Sequence, residues 1–374
     1  MGRRLYIWVT ILALALAIPA CGDEEPAQSG DSGSEGSESA ETSLKVAFIL
    51  DGPKDDGGWN QQQDIGRQYL EDEVPGVETT IVEGVSPGRQ AQTTFEDLIA
   101  QGYDVIVGAS YSFVGDIPGT AEAYPDTKFL ALGTGTADNL GEVGVASEDG
   151  RYLDGMLAGA MTKSNVIGYP SGFPIPEVVR GMNALLLGAR EVNPDVVVKP
   201  VWINSWFDPP KETQAAEGLV DAGADLLAHE LNSPATASVA EQRDSFVIGY
   251  GADAADTAPN AWLGSFTFTW GPYYADQVKA IMDGTWKPEV FYGGIPEGMI
   301  GRASYGEAVP QDVIDQIAER EKEIADGTFD VFAGPISDNK GEVVVAEGDT
   351  IPKEERITCC DFFVEGIEGE IPEG

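Results

Sequence analysis

Six short stretches of this chain bring aromatic, amide, hydroxyl and carboxylate side chains together at the ends of apolar runs. They are Asp51–Asn60 (DGPKDDGGWN), Ser110–Phe113 (SYSF), Ser171–Glu177 (SGFPIPE), Asn204–Pro210 (NSWFDPP), His229–Pro234 (HELNSP) and Gly251–Asp253 (GAD). Four of them carry a Trp, Tyr or Phe, and glycines in the first let the chain turn tightly just before Trp59. Flat rings offer faces for stacking, while Asn, Asp and Ser read hydrogen-bonding edges. The set therefore suits a planar heterocycle with donors and acceptors on its rim. Any single ring at a strand end is equally well explained as a cap on the core. Four such sites, two in each half of the chain, are harder to account for that way.

Catalysis and metal binding find little support in the same residues. His229 is the single histidine, so a Ser-His-Asp arrangement would have to use it, with Ser233 or Ser171 as nucleophile. A lone histidine is more often structural. No Gly-x-x-x-x-Gly-Lys-Ser/Thr loop is present for nucleotide hydrolysis, and Gly133-Thr-Gly135 is only a fragment of a dinucleotide fingerprint. Glu319, Glu321 and Glu323, interleaved with Arg320 and Lys322, read as a solvated helix face. Asp51, Asp55 and Asp56 share a loop without the spacing of a calcium motif. No metal and no cofactor are expected. Cys359 and Cys360 are adjacent, and either two thiols or a vicinal disulfide is open for them.

The chain of 374 residues has room for two domains of ordinary size. Sixty-three Asp and Glu against twenty-two Lys and Arg leave a net charge of −41, which repels nucleic acid and anionic lipid surfaces alike. With 42% hydrophobic residues, seven Trp and fourteen Phe, the sequence is too apolar to stay disordered. At the N-terminus Arg3 and Arg4 precede an apolar run from Leu5 to Pro19 that ends in Ile18-Pro19-Ala20-Cys21-Gly22. A basic start, a short apolar core and small residues describe an export signal, residues 1–20. The placement of Cys21 resembles a bacterial lipobox, with cleavage before a lipidated cysteine. Residues 21–43 are mostly Ser, Gly and Glu, a flexible acidic tether. A lipid, a tether and a globular body together describe a receptor held at the outer face of the cell membrane.

From Leu44 onward β-rich runs alternate with amphipathic helical ones. Lys45–Leu50, Thr79–Val82, Tyr103–Gly108, Lys128–Leu132 and Val143–Ala146 form a first strand series. Val166–Tyr169, Val196–Ile203, Ala224–Glu230, Phe246–Tyr250 and Trp262–Phe268 form a second. Continuous apolar strands separated by helices predict parallel sheets covered on both faces. Two such series predict two doubly wound α/β lobes, favoured over a single eight-fold barrel. Open parallel sheets bind ligands beyond the carboxyl ends of their strands, where all six stretches lie. Helices near Tyr273–Gly284 and Gln311–Gly327 are expected to cross back between the lobes. The expected division gives residues 44–163 and 264–290 to the N-terminal lobe, and 164–263 and 291–374 to the C-terminal one.

The segments GYPSGFPIPEVVRGMNALLLGAREVNPD, WINSWFDPPKE, NSPA and FTWGPYYADQVKAIMDGTWKPE resemble the basic-membrane-protein family. These are surface lipoproteins related to purine nucleoside receptors that serve as substrate-binding subunits of ABC transporters. The resemblance runs from about Leu44 to the segments near Gly334 and Gly366. It implies a type I periplasmic-binding-protein fold with a hinge, three crossovers and a ligand in the cleft. It implies no enzymatic activity, ABC permease subunits as partners and a monomer. Carried over residue by residue, it makes Trp59 a stacking wall and Asn60 an edge contact, with Asp56 in the same loop a weaker candidate. Ser110 and Tyr111 match a pocket loop loosely. Phe173, Trp206, Phe207 and Asp208 match the second lobe's motifs, and Asp253 sits where the family often carries an acid for ligand hydroxyl or edge binding. Trp270 of the FTWGPYY segment completes the set. Asn232 departs from the acid of the nucleobase-like branch, and SFTFTW lacks the lysine of the nucleoside branch near Ser265. That loss weakens the case for ribose recognition and favours a purine base. A ligand sensor signalling to a membrane partner, with a non-purine solute, is the alternative.

Overall fold

The computed structural model describes residues 43–372. The expected leader, the expected lipidation site Cys21 and the expected tether before Ser43 lie outside the described residues. Among the described residues, no helix is long and apolar enough to cross a membrane.

The strand Leu44–Ile49 belongs to a six-stranded parallel sheet. Its spatial order is Val290–Gly293, Leu140–Val145, Lys128–Ala131, Val105–Gly108, Leu44–Ile49, Val77–Val82. Side chains alternate between the faces of a strand, and both faces are apolar here. Val46, Phe48 and Leu50 enter one core with Trp270 and Tyr274, while Ala47 and Ile49 enter another with Phe95 and Phe113. A second parallel sheet runs in the order Trp262–Gly264, Phe246–Ile248, Leu226–Ala228, Val166–Ser171, Val197–Trp202. Ile167 and Tyr169 face one core of that lobe, and Leu227 and Val247 the other. Two doubly wound lobes are thus present, as strand–helix alternation predicts.

The chain passes between the lobes three times. The first passage follows Val145: the helix Ser147–Met161 places Tyr152, Leu153, Met156 and Leu157 in the core of the second lobe. An expected boundary at 163 thus falls a helix too late, because the apolar face of Ser147–Met161 fits the helix Pro176–Val192 rather than the first sheet. The contact is backbone to backbone. A Cβ added to Gly155 would lie 2.0 Å from the Leu185 carbonyl oxygen, and one added to Gly188 would lie 2.0 Å from that of Tyr152.

The second passage splits the expected strand Trp262–Phe268. Trp262–Gly264 stays in the second sheet, and Phe266–Phe268 pairs antiparallel with Ile300–Arg302 in a two-stranded crossover. The third follows Val290–Gly293, which is an edge strand of the first sheet, so that lobe extends slightly beyond residue 290. The remaining tail packs on the second lobe through Ile317, Ile324, Phe332 and Phe363. There Cys359 and Cys360 are joined as a vicinal disulfide.

Candidate functional site

The carboxyl ends of the two sheets meet at a narrow, partly open cavity of about 30 Å³. The first lobe lines it with Asp51, Trp59, Ser110, Tyr111 and Leu132. The second lobe contributes Ile175, Glu177, Val178, Trp206, Asn232 and Tyr250. The lobes also touch beside it: a Cβ on Gly58 would lie 3.0 Å from Cα of Asn232 and 3.1 Å from its carbonyl oxygen. This is a closed arrangement, with the loop that carries Trp59 seated on the second lobe.

Each wall is fixed by its own contacts. Trp59 opens the helix Trp59–Glu73, and its indole N–H donates to the Ala109 carbonyl at 2.7 Å. Its ring meets Phe268 and Trp270 edge to face, with centroids 5.0 and 5.3 Å away. Trp270 itself is buried, stacked on Tyr274 at 5.8 Å. Tyr111 packs over Gly133, where a side chain would strike the ring at 2.6 Å and the φ of 64° already favours glycine. Trp206 is met edge to face by Phe173 at 5.0 Å, and its carbonyl accepts the Asn232 N–H at 2.9 Å.

The polar lining is acidic or neutral: no Lys, Arg or His is among the lining residues. Asp51 accepts the hydroxyls of Ser110 and Ser112 at 2.5 and 2.7 Å and the Asn60 amide at 3.3 Å. Burial pushes the Glu177 carboxyl up to about 7. Tyr111 and Tyr250 are both raised, first by burial and then by the charge of Glu177. His229 lies near the cavity but outside its lining. Burial, reinforced by Arg151, pushes it down to about 3, so it stays neutral and is a poor base at physiological pH.

Of the residues proposed from sequence, Trp59, Ser110, Tyr111, Trp206 and Asn232 reach the cavity, and the others have different tasks. Asp56 lies one turn before the helix and accepts the N–H groups of Gly58 (2.9 Å), Asn60 (3.2 Å) and Gln61 (3.1 Å), capping the helix start. Asn60 is buried beneath it, its amide donating to Asp56 and Asp51. Asp208 caps the helix Pro209–Asp221: it accepts from the Lys211 N–H at 3.2 Å, and Glu212 accepts the Asp208 N–H in return at 3.0 Å. Asp253 is exposed and accepts the Ser304 hydroxyl at 2.5 Å. Phe173 and Trp270 stand behind the walls, and Phe207 is 37% exposed outside the cavity. The site residues that sequence reasoning missed are Asp51, Leu132, Ile175, Glu177, Val178 and Tyr250. Asp51, Glu177 and Tyr250 each stand at or just beyond a strand end, the one signal that could have found them. No cluster of three or more His, Cys, Asp or Glu suited to a metal ion occurs among the described residues.

Residues 43–329 match the profile of the Bmp family, ABC transporter substrate-binding protein PnrA-like. The chain belongs to that family. A purine-binding protein of Brucella abortus (strain 2308) is 36% identical over 336 residues, spanning 89% of this chain and 95% of the relative. A Haloferax volcanii protein named as an ABC transporter glucose-binding protein is 34% identical over 331 residues, spanning 88% and 82%. Among solved structures, the ABC transporter solute-binding protein of Conexibacter woesei DSM 14684 superposes with a TM-score of 0.64 at 24% identity. It covers 77% of this chain and 98% of that one. The Aeropyrum pernix K1 solute-binding protein gives 0.66 at 17% identity, covering 78% and 94%. These structures share the fold. This Bmp-family chain is thus a non-enzymatic substrate-binding component of an ABC transporter, in line with the resemblance read from its sequence.

Proposed function

We propose that this protein captures a purine base between its lobes and presents the closed, loaded form to an ABC permease. The observation that carries this reading is the composition of the cavity wall. Trp59, Tyr111, Trp206 and Tyr250 supply rings, and Asp51, Glu177 and Asn232 supply edge contacts, with no cation among them. A purine base offers two aromatic faces and N–H donors along its rim. A phosphate would meet two carboxylates and no positive charge, which argues against nucleotides. Ligand binding shifts the open–closed equilibrium because only the closed form brings both walls together. Lipidation at Cys21 would hold the protein at the outer face of the membrane, with the acidic tether allowing it to reach its permease.

Melting curves test the ligand directly, because a molecule that binds only the folded state stabilises it by mass action, about 2.7 kcal/mol at a hundred-fold excess over Kd. Adenine, guanine and hypoxanthine should raise the melting temperature more than their nucleosides do. A rise with glucose and none with any purine would replace the purine reading with a sugar one.

A further inference from the structure

Glu177 is an acceptor in the cavity with unused capacity. It stands in the first turn of the helix Pro176–Val192, and its Oε1 is buried without a well-formed hydrogen bond among the described residues, the hydroxyl of Ser147 being the one neighbouring donor that reaches its carboxylate. The two buried guanidinium groups nearby are both engaged elsewhere. Arg180, one turn along the same helix, donates to Glu148 at 2.9 Å and to the carbonyls of Val145 and Arg356 at 3.1 and 2.6 Å. Arg151 donates to Glu230, Asp154 and the carbonyls of Gly249 and His229. Asp51, the other carboxylate of the wall, already accepts from three side chains.

We propose that Glu177 is a specificity-determining residue of this cavity, its carboxylate accepting an N–H from the rim of the bound heterocycle and losing its own proton as it does so. The inference rests on the purine reading and adds to it a named contact and a proton. Several groups face this carboxyl. Tyr111 comes from the first lobe, Ser147, Glu148 and Arg151 from the helix Ser147–Met161, and Glu230 and Tyr250 from the ends of neighbouring strands. Burial, with Glu148 adding to it, outweighs the two arginines and the Ser147 hydroxyl and leaves the free carboxyl at about 7. Near neutral pH a sizeable share of free Glu177 is therefore protonated. A ligand N–H favours the ionised form and lowers that value, so binding releases a proton. Affinity must then rise with pH up to about 7 and level off above it.

The test is calorimetry with adenine and hypoxanthine at pH 6, 7 and 8, in buffers of different ionisation heat, on the wild type and on Glu177→Gln. Wild-type affinity should rise up to roughly ten-fold from pH 6 to pH 8, with buffer-dependent heats that report proton release. Glu177→Gln should melt like the wild type without ligand, bind about ten-fold more weakly at pH 8 because a charge-assisted bond is lost, and release no proton. Wild-type binding with an unchanged Glu177→Gln affinity would overturn the role of Glu177 and leave the purine reading standing. So would proton uptake, or affinity that falls with pH, since Glu177 would then be the donor. If Glu177→Gln fails to fold, the wild-type arm decides alone: flat affinity without proton release overturns the proposal. If the wild type binds no purine, both readings fall together.

Discussion

Trp59 is held by an N–H bond to Ala109 and by two edge-to-face rings, so its exposed face is presented in one orientation. Such a fixed ring loses little entropy on binding, and removing it deletes a stacking face outright. Trp59→Ala should weaken purine binding by at least ten-fold, about 1.4 kcal/mol, while Trp59→Phe keeps most of it. Unchanged calorimetric affinity in the alanine variant would remove Trp59 from the site. Trp59 and Trp206 of the cavity wall were legible because Gly-Gly-Trp and Ser-Trp-Phe put bulky side chains beyond strand ends, where a parallel sheet binds its ligands, while Tyr250 was not. Carboxylates were not, because an acid beside a helix start serves equally well as a cap. Asp56 and Asp208 cap helices, and Asp208 followed by Pro209 was itself a helix-start pattern. Glu177, also in a first helical turn, looks from sequence like a complement to the helix dipole. Only the structure shows that its Oε1 has no well-formed hydrogen bond.

The helices Ser147–Met161 and Pro176–Val192 approach so closely that glycine is required on both sides, at Gly155 and Gly188. This contact lies in the second lobe and away from the cavity lining. Gly188→Ala should therefore destabilise the fold by about 1–3 kcal/mol through overpacking against a backbone that cannot withdraw. Urea unfolding would show a lower midpoint, and purine affinity well below that midpoint should hold. A midpoint equal to the wild type's would mean the helices can separate freely. The central strands of both sheets were legible because they are apolar on both faces, whereas the edge strand Val290–Gly293 and the crossover strand Ile300–Arg302 were not. Where the chain changes lobe was less legible. Trp262–Phe268 is one continuous apolar run, yet it serves two sheets, because Phe266–Phe268 finds its partner in Ile300–Arg302, more than thirty residues later. No local pattern carries that pairing.

The whole molecule is far from electrical neutrality, and the excess belongs to the folded body. Without Arg3, Arg4 and the seven acids of the tether, the residues from Leu44 onward still carry −36. A neutral purine base would form no ion pair with this charge, so its effect falls on the stability of the fold and of the closed form. Like charges spread over two closed lobes repel, and the repulsion is relieved when the chain unfolds or the lobes part. Salt opposes this by shortening the screening length from about 10 Å at 0.1 M to about 3 Å at 1 M. It also weakens exposed ion pairs such as Lys322–Asp326 and Arg243–Asp221, but such solvated pairs contribute little. The buried groups around Arg151, Asp154 and Arg180 are screened far less. With acids outnumbering bases so heavily, relief of repulsion should win. Raising potassium chloride from 0.1 to 1 M should therefore raise the melting temperature by several degrees. Because closure brings the acidic lobes together, the same change should also tighten purine binding. A melting temperature that stays flat or falls across that range would show that the charge is already balanced locally and that the acidic surface serves solubility alone.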